Sequence, residues 1–164
     1  MRINSSAEAA LHIMILLAAA PDERELAAND LADFHDLGRG TLAKVLLQLA
    51  AAGLVKASAG RRGGYRLARA ADGITIYDVA SAIDGVEPHF HCHEIRRNGP
   101  CAGTAGEYSA RCAIARTMDA ATLAWRAALQ AVSLADLARQ IGDDVSPTIQ
   151  QRTTAWFTAH GRQV

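Results

Sequence analysis

Apolar residues recur at helical spacing through most of the chain. Leu11, Ile13, Leu16 and Leu17 form the first such run. They predict a helix from about Ser6 to Ala20, with Ser5 as N-cap and Glu8 completing a capping box. Pro21 and Asp22 end it. Leu26, Leu31 and Phe34 predict a second helix over Glu25 to Phe34, and Leu42, Val45, Leu46 and Leu49 a third over Thr41 to Ala52. Gly53 stops the third helix at its C′ position. The short connection His35-Asp36-Leu37-Gly38 is what a helix-turn-helix requires. The period then changes. Leu54 to Ser58 is partly β-branched, Gly60 to Gly64 is a turn, and Tyr65-Arg66-Leu67 returns, so a hairpin is predicted.

Thr75 with Asp78 caps a further helix through Ile83, closed by Gly85. From Val86 to Arg111 no period survives, which predicts a loop. A long helix follows over Cys112 to Val132, carrying Ile114, Met118, Leu123, Trp125 and Leu129, and Ser133 starts a short one ending near Ile141. Pro147 to His160 has helical character, with no readable docking face. The fold class expected is mainly α with a small β-hairpin wing. The chain divides into a winged helix-turn-helix (1–85), a cysteine-containing loop (86–111), the long and short helices (112–141) and a tail (142–164).

Half of the 164 residues are hydrophobic, chiefly because alanine is abundant, and few are aromatic. That composition favours packed helices over a β-sandwich. No apolar run approaches the ~20 residues that span a bilayer. Residues 7–20 are interrupted by Glu8 and His12 and lack a basic flank, so a cytoplasmic protein without membrane association is expected. The formal net charge is zero, but it is unevenly spread. Between Gly38 and Arg69 stand Arg39, Lys44, Lys56, Arg61, Arg62, Arg66 and Arg69, without an Asp or Glu. Helix, helix, turn, helix and a glycine-tipped hairpin is the order of a winged helix, whose third helix fits the DNA major groove. Arg39, Thr41 and Lys44 are then the candidates to face bases and phosphates of double-stranded DNA, with Arg61 and Arg62 on the wing. No nucleophile elbow, phosphate loop or H-E-x-x-H pattern occurs, so no enzyme is expected.

Three cysteines, Cys92, Cys101 and Cys112, share the aperiodic stretch. An odd number does not suggest a disulfide framework. Thiolates are soft ligands suited to iron, although the spacings are wider than in ferredoxin-like clusters. Three cysteines cannot fill four positions. Glu8 and His12, four residues apart on one helix face, are the remaining candidate ligands. Each also has a structural reading: Glu8 as part of the capping box, His12 as a half-buried core histidine. Zinc held by His89, His91, Cys92 and His93 is an alternative use of the same region.

Gly53-Leu54-Val55, Ser58, Gly60, Gly63-Gly64-Tyr65, Leu67, Ile74, Asp78-Val79 and Asp84-Gly85 occur in an order that resembles the IscR, NsrR and RsrR family. Glu94-Ile95-Arg96, Gly99-Pro100, Ile114-Ala115-Arg116 and Ala124-Trp125-Arg126 reinforce the likeness, which runs from Met1 to about Ala138 and is closest to the RsrR type. Gly38 and Thr41 stand where the family has serine and an aromatic residue, so its usual DNA preference does not carry over. The resemblance implies a homodimeric, DNA-binding transcription regulator whose long helix, 112 to 132, pairs with its two-fold mate. It also implies an iron–sulphur cluster between subunits, with redox state or nitric oxide as the signal. A 2Fe–2S cluster on Cys101 and Cys112 of one chain and Glu8 and His12 of the other is the assignment, leaving Cys92 spare. A 4Fe–4S cluster on Cys92, Cys101, Cys112 and a Glu8 supplied in trans is the rival. Other function classes are an electron-transfer or cluster-carrier protein on a winged-helix scaffold, and a cluster-free regulator. The acid-free basic window argues against the carrier.

Overall fold

The computed structural model describes residues 4–21, 24–60, 63–86 and 90–161; Arg61, Arg62 and His89 lie outside the described residues. Its centre is α1 (Ser5–Ala19), which buries Ala7, Ala10, Ile13, Met14, Leu16 and Leu17. The N-cap is Asn4, whose side chain accepts from the Ala7 amide at 3.0 Å. The expectation of Ser5 as cap is therefore corrected by one residue. Both residue types can cap, and Asn4 is the one left with extended backbone. Glu8 is thereby free of any capping box.

The second helix, α2 (Ala28–Phe34), starts three residues later than its periodicity suggests. Leu26 is extended instead and forms a bridge to Tyr65, exchanging N–H···O bonds of 3.0 and 2.9 Å. This non-local pairing outcompetes a local turn at the same residues. The turn into α3 (Arg39–Ala51) runs through Asp36, which has a positive φ, and is held by the Leu37 amide on the Ala32 carbonyl. α3 begins two residues before the expected Thr41 and buries Leu42, Val45, Leu46 and Leu49. It ends in a Schellman motif: Leu54 N–H bonds Leu49 O and Gly53 N–H bonds Ala50 O, with Gly53 at φ 68°.

β1 (Val55–Ala57) and β2 (Tyr65–Leu67) pair antiparallel, with Lys56 opposite Arg66. Thr75 and Asp78 form the expected capping box on α4 (Ile76–Asp84). Between α4 and α5 (Ala113–Gln130) the described chain has only two single-turn 3₁₀ segments, at Ile95–Arg97 and Ala105–Glu107. α6 (Leu134–Asp144) is capped by a Ser133/Asp136 box, and Ser133 bridges back to Thr75. α6 and α4 both pack on α1, as does α3. α7 (Pro147–His160) docks on the same core through buried Phe157, with Trp156 edge-on to Phe34 at 4.6 Å. The fold is thus mainly helical, with a two-stranded wing. Among the described residues, no helix is long and apolar enough to cross a membrane.

Candidate functional site

Three surfaces carry candidate chemistry. On the first, Arg39, Gly40, Thr41 and Lys44 are all exposed along the start of α3, because its apolar stripe faces the core. Neither Arg39 nor Lys44 enters an ion pair among the described residues. Two other cations of the basic window are engaged internally. Arg66 faces the buried carboxylate of Glu25 at 3.7 Å, and Arg69 binds Asp78 at 3.1 Å. Glu25 also accepts from the Ser58 hydroxyl, which itself accepts from the Gly64 amide at 3.0 Å. This network fixes the foot of the wing. Gly64 must be glycine there, since a Cβ would meet the Leu26 carbonyl oxygen at 2.8 Å.

The second surface is the loop before α5. Cys112 is the N-cap residue of α5. Its thiol is pulled below its ordinary range first by the Ala115 amide and, further, by the Ile114 amide, Cys92 and Arg96, against an opposing effect of burial. Ligating atoms of Cys92, Glu94 and Cys112 all lie within 4.8 Å of one another. Glu94 holds this place with a left-handed backbone, φ 48°, a conformation uncommon for a residue with a Cβ. Its carboxylate is held ionised by Arg96, 2.8 Å away, with Arg97 adding to the effect.

Arg96 then ties the two ends of the loop together. Its guanidinium donates to the Ala110 carbonyl at 2.9 Å and lies 4.2 Å from the Tyr108 ring centroid. The Tyr108 hydroxyl donates back to the Arg96 carbonyl. The residues around this clasp line an open cleft of about 570 Å³ that includes Cys92, Glu94, Arg97 and Arg111. Cys101 is exposed and stands outside the group of Cys92, Glu94 and Cys112.

Glu8 and His12 are both exposed on one face of α1, beside a surface pocket of about 370 Å³ that also includes Ser5, Ala9, His35 and Leu37. His35 was not singled out by the sequence. Its ring lies 5.3 Å from that of His12, and its Nε2 is buried without a hydrogen-bond partner. Burial, and secondarily His12, hold the His35 imidazole below its ordinary pKa. Glu94, Arg96 and Tyr108 were likewise missed as functional residues. The Glu94-Ile95-Arg96 stretch is visible in the sequence, but nothing there links it to Tyr108 or Cys112.

The chain matches the family model described as Rrf2, iron-dependent transcriptional regulator, over residues 3–140. It is 28% identical over 138 residues to YffB of Lactococcus lactis, named as an HTH-type transcriptional regulator, covering 84% of this chain and 87% of that one. The structure is similar to CymR (YrzC), the global cysteine regulator of B. subtilis, with TM-score 0.68, 25% identity and coverage of 85% and 98% of the two chains. It shares its fold with T. potens IscR at TM-score 0.67 and 18% identity, covering 89% and 93%.

Proposed function

Because the chain belongs to the Rrf2 family of transcriptional regulators, we propose that it is a cytoplasmic, homodimeric DNA-binding regulator that senses redox state or nitric oxide through a 2Fe–2S cluster shared between subunits. Cys101 and Cys112 of one subunit supply the thiolates, and Glu8 and His12 of the partner subunit complete the site. The observation that carries this reading is on α1. Asn4 takes the cap, so Glu8 is left exposed one helical turn before exposed His12, and no side-chain hydrogen bond or ion pair of Glu8 occurs among the described residues. A carboxylate and an imidazole presented together in this way suit iron.

The donor chemistry of the loop also fits the group. Helix amides and Arg96 favour the thiolate form of Cys112, the form that ligates metal. When bound, such a cluster supplies a one-electron redox change and a target for nitric oxide, at a potential that histidine ligation raises. The chain's own residues provide the link to DNA. α1 carries the partner-facing ligands and packs directly on α3, which carries Arg39, Thr41 and Lys44. A displacement of α1 therefore moves the recognition helix through a close-packed core. Phosphate neutralisation by Arg39, Lys44 and the wing arginines, Arg61 and Arg62, supplies most of the affinity.

The test is anaerobic purification with iron and sulphide counts and an absorption spectrum, followed by DNA binding at graded salt. Wild type binds iron and sulphide in equal amounts, His12→Ala and Cys101→Ala lose the cluster, and Cys92→Ala keeps it. Lys44→Ala lowers the salt slope by about one and weakens binding to all duplexes. Loss of the cluster in Cys92→Ala with retention in His12→Ala contradicts the ligand set. A second reading, a cluster-free regulator, draws on the likeness to CymR, the global cysteine regulator of B. subtilis. It predicts colourless anaerobic protein.

A further inference from the structure

The ligand set above leaves Cys92 without a role, yet the fold places it beside Cys112. The two residues are twenty positions apart in the chain and belong to opposite ends of the loop. Their sulphurs lie within 4.8 Å of each other. This apposition is built, not incidental. Arg96 joins Glu94 to Ala110 by hydrogen bonds of 2.8 and 2.9 Å, and the Tyr108 hydroxyl closes the same ring of contacts on Arg96. Glu94 accepts from the Cys92 thiol at 3.6 Å and so orients it. A disulfide needs an S–S distance of ~2.05 Å, so two sulphurs within 4.8 Å have to close by at most ~2.8 Å to bond.

We infer that Cys92 and Cys112 form an intrasubunit disulfide when the chain meets a hydroperoxide, and that the closed form withholds Cys112 from iron. The thiol chemistry stands without the cluster; only its consequence for iron rests on the preceding reading. In the first step the Cys112 sulphur attacks the terminal peroxide oxygen. An S–O bond forms, the O–O bond breaks, and the leaving oxygen takes the proton given up by the Cys112 thiol to become an alcohol, or water when the oxidant is hydrogen peroxide. In the second step the Cys92 sulphur attacks the Cys112 sulphur. The S–S bond forms, the S–O bond breaks, and hydroxide leaves as water with the proton given up by Cys92. Two electrons pass from the thiol pair to the peroxide. Cys101, exposed and outside the group, remains a thiol.

The experiment uses the full chain, purified with a chelator, reduced, freed of reductant anaerobically and treated with one equivalent of hydrogen peroxide. Titratable thiols fall from three to one per chain. Peptide mapping under non-reducing conditions shows a Cys92–Cys112 link with Cys101 alkylated. Arg96→Ala slows the loss of thiols, and in Cys92→Ser/Cys101→Ser the Cys112 sulfenic acid persists and is trapped by dimedone. Iron and sulphide added under anaerobic conditions load the peroxide-treated chain only after a thiol reductant. A thiol count that stays at three, a link through Cys101, or oxidised Cys112 beside fully alkylatable Cys92 overturns the inference. The thiol count and the disulfide map do not depend on which residues hold the cluster, because a wrong ligand set alters iron loading and leaves the disulfide map unchanged.

Discussion

A carboxylate taken out of water has to be met by donors, and Glu25 is met by Ser58 and Arg66 at the foot of the wing. Removing it leaves the Ser58 hydroxyl and the partly covered guanidinium without an acceptor. Glu25→Ala is expected to lower stability by about 1–3 kcal/mol in urea denaturation, and a change within a few tenths would show the network to be idle. The helical period of Leu26, Leu31 and Phe34 makes Glu25 look like the first residue of a helix. What it lacked was the partner: Leu26 pairs with Tyr65, almost forty residues away. Local periodicity carries no information about such a bridge. At Gly53 the residue type itself disclosed the conformation, since it ends a helix with positive φ.

The starts of α4 and α6 were legible from their N-cap residues, Thr75 and Ser133. Thr75/Asp78 and Ser133/Asp136 stand in the structure as capping boxes, the first as the sequence analysis had it. The second box has a pH signature. Hydrogen bonds from Ser133, and the nearby Arg139, hold the Asp136 carboxyl below its ordinary 3.8. The contribution of that carboxylate is present above the unfolded-state value and is lost as pH falls through the lower folded-state value. Wild type should therefore melt above Asp136→Asn at neutral pH, and the gap should close below pH 3.8. A gap that widens on acidification would reverse the sign. α5 raises a different question, because only Ala115 of its residues is buried. Leu123 is exposed and, at about 100° per residue, lies on the far side of the helix from Trp125, which packs edge-on against Tyr77. If this helix meets its two-fold mate, Leu123→Arg shifts sedimentation equilibrium from dimer to monomer. An unchanged dimer would place the contact elsewhere.

At the scale of the molecule, the winged architecture could be read from the order of periodic segments, and family membership now stands beside it. The proposed sensing site was legible only as a set of residue types. Glu8 and His12 could be placed on one face because a helix fixes their spacing. The loop offers no such ruler, so the closure of Cys92 on Cys112 by Arg96 and Tyr108 was invisible until the chain was folded. A site divided between two chains is the feature from which the proposed signal path follows. It places two of the proposed ligands, Glu8 and His12, on α1, which packs on α3, the proposed recognition helix.

Complementation in a mixed dimer tests that division most directly. One tagged subunit carries Glu8→Ala/His12→Ala and keeps its cysteines; the other carries Cys101→Ala/Cys112→Ala and keeps its α1 ligands. Each variant homodimer should be free of cluster, wild type should hold two per dimer, and the purified heterodimer should hold one, because only one of its two sites is complete. A colourless heterodimer beside a coloured wild type would contradict ligation across the subunit boundary, and a colourless wild type would contradict the cluster itself.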